Sequence, residues 1–167
     1  MRKRRWLATL GVLTGLAALP AGSVLGQQAQ PSAAAAGLVT VPSHHPVAET
    51  IERFETAVKA KGWIVFTQID HAAAAKAAGL ELRPRTVVIF GNPQAGTDPM
   101  KSNPTLAIDL PMKALIWQDD AGEVWLTYNA ADYIGTAIYP RHGLSVPPEA
   151  RKGLGQVLEG FASQATD

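Results

Sequence analysis

Few side chains in this sequence could do chemistry, and they fall into three groups. Asp70 and His71 adjoin where a β-prone run meets an Ala-rich one. A carboxylate beside an imidazole at a strand end can supply a general acid or base or a metal ligand, because histidine titrates near neutral pH. The same Asp is also what a helix N-cap requires. The second group is Gly91-Asn92-Pro93-Gln94-Ala95-Gly96-Thr97, whose glycines would let backbone amides approach an anion. It has no GK[ST] ending and fits neither the phosphate-loop nor the dinucleotide pattern, so no cofactor is indicated. A plain turn would use the same residues. The third group is Lys101, Ser102, Asn103, Asp109 and Tyr128. Asp109, wedged between Ile108 and Leu110, either points away from the core or is paired inside it. His44-His45 lacks the i, i+4 spacing of a helical metal pair and reads as a solvated turn. His142 falls in an apparent loop and suggests no role. No G-x-S-x-G elbow is present.

The elements that must position these groups follow from periodicity. Leu38–Val41 is a short strand. Pro46 opens a helix whose apolar face is Val47, Ile51, Phe54 and Val58, and Gly62 closes it. Trp63–Ile69 reads as a strand buried on much of both faces. Asp70 caps a short helix from His71 to Ala78, and Thr86–Phe90 is the most strongly β-like run. Gly91 to Pro104, with three Pro and two Gly, is expected as a long ordered loop or a loop with one helical turn. A hairpin turns at Asp119-Asp120-Ala121-Gly122. Asn129–Ile138 is expected to be helical, and Pro147-Pro148 opens a last helix with Leu154, Val157, Leu158 and Phe161 on one face. The mixture predicts an α+β two-layer sandwich, a mixed sheet with helices packed mainly on one face. If the strands ending at Ile69 and Phe90 run parallel, His71 and Asn92 share one rim.

The chain has 167 residues, of which 47% are hydrophobic and 17% charged, which suits one packed core. Its lack of cysteine excludes disulfides, thiolate metal sites and a cysteine nucleophile. Arg2, Lys3, Arg4 and Arg5 precede an apolar stretch, Trp6–Leu19, that is too short to span a bilayer and is followed by Pro20 and small residues. This pattern reads as a secretory signal peptide over residues 1–26, for either general or twin-arginine export, with cleavage after Ala21 or Gly26. A flexible linker of Gln, Ala, Pro, Ser and Gly follows over 27–37, then one domain over 38–165. The product is expected in the periplasm or outside the cell, off the membrane once the signal is cleaved. Removing the signal leaves 11 Lys and Arg against 14 Asp and Glu, a net charge of −3, so nucleic acid is not an expected partner.

Several segments together resemble the domain of unknown function 302 (DUF302) family. They are Glu49-Thr50 with Phe54, Gly62-Trp63 with the strand after it, Ile69-Asp70-His71-Ala72-Ala73-Ala74-Ala75, Gly79-Leu80-Glu81-Leu82-Arg83-Pro84, Phe90 through Thr97, Asn103-Pro104, Asp109-Leu110-Pro111 and Trp125-Leu126-Thr127-Tyr128-Asn129. The resemblance spans about Val41 to Ile138. It implies a compact α+β domain that forms a homodimer, with a pocket of unidentified ligand among Asp70, His71, Gly91, Asn92, Asn103, Asp109 and Tyr128. It carries no reaction. Three expectations follow: a module binding a small molecule or, through His71, a metal at the rim of the sheet; a hydrolase or lyase with His71 as general base; or a dimerising structural module without a ligand.

Overall fold

In a computed structural model the described residues are 37–167, so the expected signal peptide and all but the last residue of the expected linker lie outside them. Five strands form one sheet: β1 (Leu38–Ser43), β2 (Ile64–Asp70), β3 (Arg85–Gly91), β4 (Met112–Gln118) and β5 (Val124–Asn129). Their order is β1-β5-β4-β3-β2. Every neighbouring pair is antiparallel, so the α+β sandwich is as expected but the sheet is not mixed. Helices α1 (Val47–Ala60) and α5 (Pro148–Thr166) lie together on one face.

The core sits between those helices and the inward residues of the sheet. Val88 and Phe90 of β3, Ala114 and Ile116 of β4, and Val124, Leu126 and Tyr128 of β5 alternate inward, as half-buried strands require. Against them pack Phe54 and Val58 of α1 and Leu158, Phe161, Ala162 and Ala165 of α5. Phe54, Phe90 and Phe161 meet edge to face, with centroids 5.1 to 6.2 Å apart, and Trp63 stacks beside Phe90 at 6.3 Å. Such offset and perpendicular pairings set the aromatic edges against the faces.

Two elements depart from expectation. β2 is not buried on both faces: as the last strand of the sheet it is paired on one side only, and Ile64, Phe66 and Ile69 are exposed. The register slips between Val65 and Thr67, so Phe66 is a bulged residue. The stretch after Gly91, expected as a loop, contains α3 (Pro93–Ser102) and a 3-10 turn (Pro104–Ile108). Asn92 caps α3 and Pro93 takes its first position, two start signals that outweigh the internal Gly96 and Pro99.

α3 buries no side chain, whereas Leu106 in the 3-10 turn is fully buried and pegs the segment to the body. The remaining helices are short: α2 (His71–Ala77), and α4 (Ala131–Tyr133), which runs on into a π-helical turn at Ile134–Ile138. A 3-10 turn over Pro140–His142 then leads through Gly143, in the left-handed conformation, toward α5.

Candidate functional site

The antiparallel register separates the two motifs expected on one rim. Asp70 pairs with Thr86 and Ile64 pairs with Gly91, so Asp70 and His71 stand at one end of the sheet and Gly91 and Asn92 at the other. The intervening strand is roughly 20 Å long. Asp70 is a helix cap: its carboxylate accepts the Ala73 N–H at 2.9 Å. His71 is exposed at the first position of α2 and lines neither of the cavities described below.

The amides after Gly91 form no free anion nest. Pro93 has no N–H, the Gln94 N–H donates to Asn92 Oδ1 at 3.0 Å, and those of Ala95 and Gly96 donate to the Asn92 carbonyl. A helix start consumes the donors that an anion would need.

What lies beside Gly91 and Asn92 is instead a cavity of about 500 Å³. Its floor is the end of the sheet, with Trp63, Gly91 and Met112, and its roof is α3 and the turn after it, with Met100, Ala107 and Leu110. The bulge at β2 turns Phe66 into the wall, and Ile134 and Tyr139 close the side from the π-helical turn. A Cβ at Gly91 would meet Pro111 Cβ at 3.4 Å and Phe66 at 3.6 Å, so the missing side chain keeps this corner open. The lining is almost wholly apolar, with Asn92, Thr97 and Tyr139 as its polar side chains. Thr97 is already committed, its hydroxyl donating to the Pro93 carbonyl at 2.6 Å. Burial pushes the Tyr139 phenol above its ordinary range, so it is a neutral hydroxyl at any physiological pH.

Asn103 and Asp109 are brought together, but around His142, which reads from sequence as a loop residue without a role. His142 is buried, with Nε2 2.6 Å from Asp109 Oδ2 and Nδ1 2.7 Å from Thr105 Oγ1. Arg141 donates to the other carboxylate oxygen at 2.8 Å. The Asn103 side-chain N–H donates to the His142 carbonyl at 2.6 Å, while its Oδ1 accepts from the Thr105 amide and hydroxyl at 2.9 and 2.7 Å. The set resembles a nucleophile, base and acid in sequence of contacts. Chemically it is a clasp: the Thr105 hydrogen is directed to Asn103, and both ring nitrogens are occupied. Asp109 is therefore paired, the second of its two expected states.

Tyr128 lies elsewhere, facing inward on β5 and lining a second cavity of about 570 Å³ with Asp132, Arg151 and Glu159. Burial, then the charge of Glu159, raises its phenol above the ordinary range. Among the described residues no three His, Asp or Glu side chains are grouped to hold a metal ion, and His71 stands alone. His45 is tied to Glu49 at 3.0 Å.

A five-stranded antiparallel sheet with two helices on one face and a roofed apolar cavity at one end defines an α+β sandwich. The chain belongs to the DUF302 family, whose profile matches residues 39–161. The crystal structure of an uncharacterized conserved DUF302 protein from Bacillus stearothermophilus shares the fold, with a TM-score of 0.63 at 22% identity, covering 77% of this chain and 97% of that one. The chain is also 43% identical over 147 residues to the fluoride-specific ion channel FluC 1 of Brucella suis biovar 1 (strain 1330), covering 83% of this chain and 56% of that protein. FluC 2 of Brucella melitensis biotype 1 matches at the same identity over 53% of its length. The chain thus spans about half the length of these curated relatives. Among the described residues no helix is long and apolar enough to cross a membrane.

Proposed function

We propose that the domain is a binding module for an apolar small molecule held in the cavity under α3. The observation that carries this reading is the cavity itself: about 500 Å³ lies within the range of small-molecule sites, and such sites are mostly apolar with few placed polar groups. Tyr139 and Asn92 supply those groups, and the Tyr139 hydroxyl has no hydrogen-bond partner among the described residues. The expected site is thereby narrowed to Gly91 and Asn92, with Asn103 and Asp109 behind the roof, and Asp70, His71 and Tyr128 outside it. A metal ligand gains no support from the side chains present. The fluoride channel named for the relatives concerns proteins of which this chain matches about half, and an apolar lining suits an apolar molecule better than a hydrated anion.

The test is native mass spectrometry of the protein purified from its own compartment, followed by titration with Nile red. A retained small molecule, or saturable dye binding abolished by Ala107→Trp, is the expected result. Finding no added mass and no saturable binding would overturn the reading and return weight to a module that only specifies a fold. The hydrolase or lyase reading with His71 as base has its base and the Asn92 loop at opposite ends of the sheet.

Two further expectations remain part of this proposal. The basic and apolar N-terminus supports export to the periplasm or beyond, tested by fractionating cells that carry the Arg4→Lys, Arg5→Lys variant and the wild type. Self-association as a homodimer is supported by the sheet face away from the helices. It contributes nothing to the buried core yet holds Val87, Ile89, Leu115 and the stacked pair Trp117 and Trp125. Such a patch commonly marks an interface. Light scattering that gives a monomer mass at micromolar concentration would remove the dimer.

A further inference from the structure

None of the residues that line the cavity under α3 carries a charge. An ionised carboxylate brought there would lose its water and meet no cation, and a buried ion without a partner is strongly disfavoured. The start of α3 does not take the place of a cation, because the amides of Gln94, Ala95 and Gly96 already donate to Asn92. The lining thus favours a neutral molecule over a fatty acid or an aromatic acid.

The direction of the polar contacts is fixed as well. Asn92 Oδ1 accepts the Gln94 N–H, so the end of its amide left free is the N–H₂ donor. Thr97 has given its hydrogen to the Pro93 carbonyl. The Tyr139 hydroxyl makes no hydrogen bond among the described residues and is not one of the fully buried unpartnered atoms, so it is open to a ligand. Two donors, one at the start of α3 and one after the π-helical turn, suit a ligand whose polar end accepts. A carbonyl is the simplest such group.

The apolar lining is rich in rings and sulfur. Trp63, Phe66 and Tyr139 present aromatic surface and Met100 and Met112 present thioethers, groups that pair favourably with the faces and edges of another ring. Trp63 is already held by Phe90 at 6.3 Å and Phe161 at 5.4 Å, so little freedom is lost when a ligand packs on it. Phe66 is exposed at the bulge of the edge strand, which puts it where the cavity meets solvent.

We propose that the cavity selects a neutral, flat aromatic molecule bearing a carbonyl, which packs on the rings and thioethers and accepts hydrogen bonds from Tyr139 and Asn92. This rests on the apolar-ligand reading of the cavity and names the chemical class of its ligand.

Four probes, titrated into the full chain near neutral pH by calorimetry and by displacement of Nile red, separate the class from the cavity. Acetylnaphthalene is the reference. Naphthoate has the same rings but a carboxylate, and it should bind at least about a hundredfold more weakly, because it must first take up a proton roughly three pH units above an ordinary carboxyl value. Ethylnaphthalene lacks only the carbonyl, and methyl decyl ketone keeps the carbonyl on a flexible chain of equal carbon count. Each should be weaker than the reference by roughly five- to tenfold. Tyr139→Phe removes a hydroxyl that bonds nothing in the fold, and should weaken acetylnaphthalene roughly fivefold while leaving ethylnaphthalene unchanged. Naphthoate binding as tightly as the reference, a chain ketone that binds more tightly than the rings, or the same gap between acetyl and ethyl compounds in Tyr139→Phe as in the wild type would each overturn the assignment and leave an apolar-ligand cavity standing. Failure of Nile red and of all four probes to bind saturably would remove the cavity reading and the assignment with it.

Discussion

The two ends of the sheet use similar residues to opposite ends. At the end of β2, Asp70 caps α2, while across the sheet Asp119 closes the β4–β5 hairpin, accepting the Ala121 and Glu123 amides at 2.9 Å each and the Trp125 indole N–H at 2.9 Å. Both carboxylates find their partners within six residues, and neither lines the cavities described above. At the end of β3, Asn92 also caps a helix, but that helix stands off the sheet and leaves space under it. Asp109 finds partners more than thirty residues away. The difference lies in what the caps are attached to: a cap on a short, tightly turned segment finishes a fold, whereas a cap on a roof segment fixes where a cavity wall begins.

The largest expected effect strikes the roof. Leu106→Ala removes its buried peg and should cost about 2 to 5 kcal/mol where the site cannot collapse. Native-state hydrogen exchange should show the loss concentrated in 93–110, with β4 and β5 keeping their protection; equal loss at both ends would erase the distinction between them. Next, Asp109→Asn leaves His142 and Arg141 without their carboxylate, and urea unfolding should report a loss of about 2 to 3 kcal/mol. The paired caps come third. Asp70→Ala and Asn92→Ala should each cost about 1 kcal/mol. Only Asn92→Ala should alter Nile red binding, and an equal effect of both on the dye would contradict the placement of the cavity.

How legible these two ends are from sequence differs for physical reasons. The local signals are sound: Asp70 as a cap, the 119–122 turn, and the apolar faces of α1 and α5 all rest on contacts within a few residues. The direction of β3 relative to β2 is not local. Fourteen residues with a short helix can return the chain either parallel or antiparallel, and only pairing with β4 on the far side settles it. The same holds for β2 as an edge strand, since its β-branched and aromatic run is what a buried central strand would also show. His142 was illegible because its partners Thr105 and Asp109 lie 37 and 33 residues away. The start of α3 was legible in Asn92-Pro93, yet its two internal breakers, Gly96 and Pro99, argued for a loop.

The fourth effect is an acid dependence at the hairpin of β4 and β5. The indole N–H of Trp125, with backbone amides of the turn, holds the Asp119 carboxyl below its ordinary range. A carboxyl whose value is lower in the folded than in the unfolded chain adds stability above the unfolded value, near pH 3.9, and loses it as pH falls through the folded one. Trp125→Phe deletes the leading contact, so the wild type should resist acid better than the variant just below that pH and resemble it more closely at lower pH.

The smallest effect is the sharpest test of the division between the ends. His71 is exposed on the first turn of α2 and lines neither cavity, so His71→Ala should shift stability by no more than about 0.5 kcal/mol and leave Nile red binding unchanged. Only a parallel course of β2 and β3 would put His71 beside Asn92 on one rim, and the two strands are antiparallel. A loss of dye binding in this variant, with Asn92→Ala silent, would move the site to the other end of the sheet. Silence at His71 together with a response at Asn92 would assign the two motifs separate tasks, one finishing a helix and the other bounding a cavity.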